Sequence, residues 1–138
     1  EVGGVRWYNH SIATTPPSTI AALEAFDRPV VLIAGGYDKK LPFDELGETI
    51  ARRAKGTVLV GQTAGKIAEV IAAADPEGQA NVETVDSLAK AVERAGSLAE
   101  AGDVVLLSPA CASYDMFDNF QQRGDQFAGL VRDIPSKL

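Results

Sequence analysis

Three stretches of the chain combine small residues with groups able to bind an anion. They are Asn9-His10-Ser11-Ile12-Ala13-Thr14-Thr15, Gly35-Gly36-Tyr37-Asp38-Lys39-Lys40, and Ser108 through Phe120. Paired glycines let a backbone turn sharply and approach a ligand closely. A lysine just beyond them can set a positive charge over a pocket. Lys39 is nearer the glycines and is the candidate, whereas Lys40 reads as solvent-facing. A glycine turn with solvated lysines is the plainer alternative. Thr14 and Thr15 can cap a helix, bind a carboxylate, or divide those roles. Asp118 with Gln121 three residues on forms a capping pair, which sets the amides of Asn119 to Gln121 in a first helical turn. Such amides bind carboxylate or phosphate without a basic side chain. Hydroxyls near Thr14 and Ser113, a cation at Lys39 and free amides at Phe120 together suit a small anionic ligand such as a dicarboxylate.

Other chemistries fit less well. Gly61-Gln62-Thr63-Ala64-Gly65-Lys66 lacks the glycine, four residues, glycine, lysine and hydroxyl order of a phosphate loop, and no dinucleotide fingerprint occurs. It reads as a strand end plus a helix cap, so the chain is not expected to hold a nucleotide by itself. Cys111, flanked by alanines, reads as a small buried hydrophobe rather than a nucleophile. No serine has a nucleophile-elbow context, and one histidine is available as a base. No His, Cys or carboxylate set has metal-site spacing. No residue is therefore assigned a catalytic or metal-ligating role. The reaction either needs no side-chain nucleophile or draws its catalytic groups from another domain.

These stretches need a scaffold that brings them to one edge, and the hydrophobic pattern supplies it. Asp103-Val104-Val105-Leu106-Leu107 and Pro29-Val30-Val31-Leu32-Ile33-Ala34 are continuous apolar runs, as expected of parallel strands covered on both faces. Val5 to Tyr8 and Thr57 to Gly61 are further strands, and Val82 to Val85 alternates like a half-exposed sheet edge. Between them, helical spacing joins Ile20, Leu23 and Phe26, then Phe43, Leu46, Ile50 and Ala54 after Pro42. Ile67, Val70 and Ile71 follow Thr63, and Leu88, Val92 and Ala95 follow Asp86 or Ser87. Gln121 to Arg132 reads as a terminal helix. The alternation predicts a three-layer α/β fold, a mainly parallel sheet with helices on both faces and room for one antiparallel edge strand. In such sheets ligands bind just outside the carboxyl ends of the strands, where all three stretches fall.

The bulk composition agrees with one domain spanning 1–138. A net charge of −6 with no basic block argues against nucleic acid or an anionic membrane as a partner. With a single cysteine no internal disulfide can form, and no leader or bilayer-length apolar run is present, so the cytoplasm is the default expectation. Glu1-Val2 before Gly3-Gly4 reads as the tail of an earlier strand, which suggests a piece of a longer protein.

Tyr8 to Thr15, Leu32 to Lys39, and Leu107 to Ser113 through Asn119-Phe120 occur in an order and spacing that resemble the C-terminal domain of the Mur ligases. Within that family the likeness is to the ligase that adds D-glutamate, and Gln121 to Asp125 continue it. The resemblance implies a Rossmann-like last domain of a three-domain, ATP-dependent amide ligase of bacterial peptidoglycan synthesis, acting as a monomer. It also implies that ATP and Mg2+ are held mainly by a central domain outside this chain. In such enzymes ATP phosphorylates the alanine carboxylate of UDP-N-acetylmuramoyl-L-alanine, and the D-glutamate amine displaces the phosphate. Carried over residue by residue, Thr14, Lys39 and Ser113 hold the glutamate carboxylates, Phe120 offers its backbone amide and Tyr114 lines the pocket. Asn9 and His10 fall where the family approaches ATP; His10 replaces an aspartate that contacts the ribose, and histidine cannot copy a fixed negative acceptor. Two rivals are the last domain of a sister amino-acid or folylpolyglutamate ligase and a non-catalytic module binding an anionic metabolite.

Overall fold

The computed structural model describes residues 4–37, 40–78, 80–111 and 119–134. Strands and helices alternate strictly: β1 (Arg6–Asn9), α1 (Pro16–Ala25), β2 (Val30–Ala34), α2 (Asp44–Arg53), β3 (Ala54–Leu59), α3 (Ala64–Ala74), β4 (Val82–Thr84), α4 (Leu88–Leu98), β5 (Val104–Leu107) and α5 (Phe120–Arg132). The sheet order is β1-β5-β2-β3-β4. Every described pairing is parallel, and β4 lies at one edge with Thr57 opposite Val82 and Leu59 opposite Thr84. The allowance for an antiparallel edge strand therefore does not apply to β4. The crossover through α3 returns the chain to the starting end of the sheet, so β4 enters in the same direction as β3.

The continuous apolar runs are two-sided because alternate residues serve different layers. Along β2, Val30, Leu32 and Ala34 join a core with Leu23, Leu46, Ile50, Ile67 and Ile71 from α1, α2 and α3. Val31 and Ile33 join the opposite core with Leu88, Val92 and Phe127 from α4 and α5. A buried leucine or isoleucine contributes about 1.5–3 kcal/mol relative to exposure, and dozens of such contacts fix the layers. Gly47 lets α2 lie against α3, since a Cβ there would fall 2.7 Å from the Val70 backbone.

Two helix boundaries differ from the sequence expectation. The second helix starts at Asp44 rather than Pro42, because buried Phe43 occupies the position before the first turn and its carbonyl accepts the Gly47 N–H. Asp44 and Glu45 in the first turn and Arg52 and Arg53 in the last then suit the helix dipole. Ala54 belongs to β3 rather than to the helix, because it already pairs with Val30. The parallel register leaves no room for a loop there.

Candidate functional site

The carboxyl ends of β1, β5, β2 and β3 are stitched into a continuous rim by backbone hydrogen bonds. His10 N–H donates to Leu107 O at 2.7 Å, Ala110 N–H to Ala13 O at 3.0 Å, and Gly35 N–H to Pro109 O at 2.9 Å. Val60 N–H donates to Ala34 O and Thr63 N–H to Gly36 O. Ala110 reaches this geometry at φ +64°, and Gly35 at +109°. At Gly35 no side chain fits, since a Cβ would sit 2.0 Å from Val60 O.

On the β2–β3 side the side chains close the rim. Thr63 stands just before α3, but its hydroxyl caps nothing; it accepts the Gly36 N–H at 3.1 Å and lies 3.2 Å from the buried Cys111 Sγ. Gly61 to Lys66 is thus a strand end leading into a helix, as expected, but without the side-chain cap expected of it, because the rim takes the Thr63 hydroxyl. Cys111 is a buried small residue packed in the first core.

The β1–β5 side carries more polar chemistry. His10 Nδ1 lies 3.0 Å from Ser108 Oγ, Ser108 Oγ donates to Thr19 Oγ1, and Thr19 Oγ1 donates to Ser108 O. Ser108 and Thr19 are fully buried, so this chain of hydroxyls satisfies groups that water cannot reach. His10 keeps Nε2 without a hydrogen bond among the described residues. It lines an open groove of about 580 Å3 with Tyr8 and Phe26, whose rings meet edge-on at 5.0 Å. A second groove, of about 530 Å3, lies between α1 and the start of α2. Its walls are Pro16, Pro17, Ile20 and Leu41, with Asp44 and Glu45 at the rim, a lining that does not suit an anion.

The start of α5 packs against the β1–α1 loop. Asn119 caps the helix by accepting the Gln122 N–H at 2.8 Å. The cap is therefore one residue later than the Asp118 pairing expected from sequence; Asp118 lies outside the described residues. The Phe120 and Gln121 amides have no partner among the described residues and remain available to an anion. Ser11 Oγ donates to Phe120 O at 2.7 Å, and Asn9 Nδ2 donates to Gly124 O at 2.9 Å.

Of the residues singled out from sequence, Asn9, His10, Thr14 and Phe120 come together around this β1–β5 end. Thr15 takes the position before α1, and its hydroxyl lies 3.2 Å from Ser18 Oγ. Thr14 is half-buried, and its hydroxyl makes no hydrogen bond among the described residues. The Asn9 amide is occupied at both ends, by Gly124 O and by the Ser11 N–H. Lys39, Ser113 and Tyr114 lie outside the described residues. In sequence Lys39 follows β2, the neighbour of β5, and Ser113 and Tyr114 follow Cys111. Among the described residues no cluster of three or more His, Cys, Asp or Glu could hold a metal. No helix there is long and apolar enough to cross a membrane.

Sequence reasoning missed Arg123. Its side chain is buried, the residue being 3% exposed. Nε donates to Ser11 Oγ at 2.9 Å, Nη2 to Ser11 O at 2.7 Å and Nη1 to Cys111 O at 2.9 Å. A signal was present: Arg123 stands four residues before Phe127 and next to Gly124, on the face that α5 buries. An arginine on the buried stripe of a helix needs hydrogen-bonded partners.

The sequence profile of the family described as Mur ligase, glutamate ligase domain, matches residues 1–111. A UDP-N-acetylmuramoylalanine–D-glutamate ligase of Acetivibrio thermocellus is 49% identical over 138 residues, covering 97% of this chain and 30% of that protein. One from Clostridium kluyveri is 47% identical over 136 residues with the same coverage. The chain thus spans under a third of the length of these relatives. Among solved structures, a murein peptide ligase from Psychrobacter arcticus superposes with a TM-score of 0.58 at 18% identity, over 99% of this chain and 29% of that one. The UDP-N-acetylmuramate–alanine ligase of Thermotoga maritima gives 0.55 at 14% identity, over 93% and 27%. These two likenesses bear on the fold, which is the α/β fold described above. The long profile match and the close relatives decide the family: the chain belongs to the Mur ligases, as a glutamate ligase domain.

Proposed function

We propose that the chain is the single, C-terminal domain of an ATP-dependent amide ligase that receives D-glutamate for addition to UDP-N-acetylmuramoyl-L-alanine in peptidoglycan synthesis. The observation that carries this reading is the near-complete coverage of the chain, at 43–49% identity, by relatives bearing that ligase name. Thr14, Lys39 and Ser113 bind the two carboxylates, the Phe120 amide adds a donor, and Tyr114 lines the pocket. The free Thr14 hydroxyl and the free first-turn amides of α5 support these roles. Asn9 and His10 lie where the domain meets the nucleotide. His10 Nε2 is the atom able to reach it, whereas Asn9 acts through the loop it braces.

ATP, bound with Mg2+ in the rest of the enzyme, would supply the phosphoryl group that activates the substrate's alanine carboxylate; among the described residues no His, Cys, Asp or Glu cluster could hold a metal ion. This domain's contribution is to hold the amino acid so that its amine meets the acyl carbon as water is excluded. The enzyme works as a cytoplasmic monomer, and the 138-residue chain alone turns over no ATP.

The test is amino-acid selectivity in the full-length ligase, read as phosphate release with UDP-N-acetylmuramoyl-L-alanine present. D-glutamate supports turnover, while L-glutamate, L-alanine and a diamino acid do not. Lys39→Ala raises the KM for D-glutamate by about 100-fold or more, the scale of a lost charge-assisted carboxylate contact. Turnover with a different amino acid, or a Lys39→Ala enzyme with an unchanged KM, would refute the assignment.

A further inference from the structure

We propose that Arg123 is the positioning residue of the amino-acid site, acting through Ser11 and Cys111 rather than touching the ligand. The inference rests on the functional reading above. That reading draws its ligand contacts from four separate segments: the loop after β1, the stretch after β2 that holds Lys39, the segment after β5 and the first turn of α5. Arg123 joins all but the second. Its Nε and Nη2 grip Ser11, three residues before Thr14, at 2.9 and 2.7 Å. Its Nη1 grips the Cys111 carbonyl, two residues before Ser113, at 2.9 Å. Arg123 itself stands one helical turn after Phe120, and Ser11 Oγ closes the circuit by donating to Phe120 O at 2.7 Å. Each of these bonds falls on a proposed ligand contact or within three residues of one.

Packing alone does not call for this arrangement. Phe127, one turn further along the same face, joins α5 to the sheet with an apolar ring and no polar partner to satisfy. A guanidinium placed indoors must be hydrogen-bonded, and the planar fork fixes the direction of every acceptor it meets. Lysine cannot reproduce that fork. A second, independent contact presses the same loop onto the same turn. Asn9 Nδ2 bonds Gly124 O, and a Cβ at Gly124 would meet the Asn9 side chain and Ser11 Cβ at 3.2 Å. Sites assembled from loops lose affinity when such supporting contacts are loosened by as little as an ångström.

The test is steady-state kinetics of the full-length ligase with Arg123→Lys and, separately, Ser11→Ala, alongside thermal melting of each. Ser11→Ala removes the bridging hydroxyl without touching the buried charge, and it decides the matter should Arg123→Lys fail to fold. In the folded variants the KM for D-glutamate rises by about tenfold or more in Arg123→Lys and about threefold or more in Ser11→Ala. The KM values for UDP-N-acetylmuramoyl-L-alanine and ATP stay within about twofold. A purely structural role would lower the melting temperature and leave the three KM values alone, or raise them together; either result overturns the proposal. If the unmodified ligase does not use D-glutamate, the functional reading itself fails and the positioning role falls with it. A D-glutamate-dependent enzyme whose two variants keep the normal KM removes the positioning role alone.

Discussion

Two cations stand at opposite ends of the sheet and are used in different ways. At the amino end, Lys55 on β3 pairs with Asp103 just before β5 and reaches Glu100 at 3.4 Å, with about a third of its side chain exposed. Asp103 also accepts the Glu100 N–H at 2.8 Å, so the turn into β5 is clamped by an ion pair at the water's edge. At the carboxyl end, Arg123 is buried and its bonds to described residues include two backbone carbonyls and a hydroxyl. The first arrangement needs only that opposite charges be near each other. The second needs correct direction at every bond. A partly wet ion pair tolerates slack, whereas a buried fork transmits the position of each segment to the others. The end of the sheet that carries the proposed ligand contacts is the end held by the less forgiving contact.

Substitutions at the two ends should therefore differ in cost. The largest effect is expected from Gly35→Ala. Its Cβ would overlap Val60 O at a φ of +109°, and nothing in the backbone can yield, so destabilisation exceeds about 4 kcal/mol. Denaturant unfolding would record a largely unfolded chain; a loss below about 1 kcal/mol would show that the rim is softer than described. Next is Thr19→Val, which keeps the shape and deletes the hydroxyl that donates to Ser108 O and accepts from Ser108 Oγ. Leaving those buried groups unpaired costs about 1–3 kcal/mol, and His10 loses its fixed neighbour. The same unfolding experiment measures the first effect, and a changed His10 ring environment by NMR measures the second. An unaltered midpoint and ring would count against the hydroxyl chain.

The smallest effect belongs to the amino end. The hydrogen bond to Asp103, with attraction to that carboxylate and to Glu100 against some desolvation, raises the Lys55 pKa above its ordinary 10.5. A raised folded value means the stabilisation is fully present below the unfolded pKa and lost as pH climbs through the folded one. Melting temperature should thus fall above pH 10.5 by more in the natural chain than in Lys55→Met, the difference amounting to about 1 kcal/mol or less for a partly exposed pair. Parallel curves for the two proteins would remove the pair from the account.

Much of this architecture is legible in the residues. Val30 to Ala34 and Val104 to Leu107 announce strands covered on both sides, and the glycines after β2 announce the sharp turn. Boundaries are less legible, because they depend on partners distant in sequence. Ala54 suits a helix by spacing, yet pairing with Val30 draws it into β3. Asp118 and Asn119 are equally good caps on paper, and the fold uses Asn119. Thr63 has the type and place of a helix cap, but the rim needs its hydroxyl for the Gly36 N–H. The candidate site follows the same rule. His10 and Thr14 can be picked out by residue type, and Phe120 by its place just after a capping residue. Arg123 hides among polar residues of a helix; its spacing from Phe127 hints at an inward face, and the tertiary packing shows what it holds.

The strand order carries one more consequence, in the timing of synthesis. Among the described residues β1 has a single neighbour, β5, although they stand at opposite ends of the sequence. The other half of the sheet, β2 through β4 with their helices, is built from segments close in the chain. Of the five described strands, the first to be made must wait for the fifth to be made before it meets its neighbour. The loop after β1 and the start of α5 therefore meet only after β5 and α5 have been made.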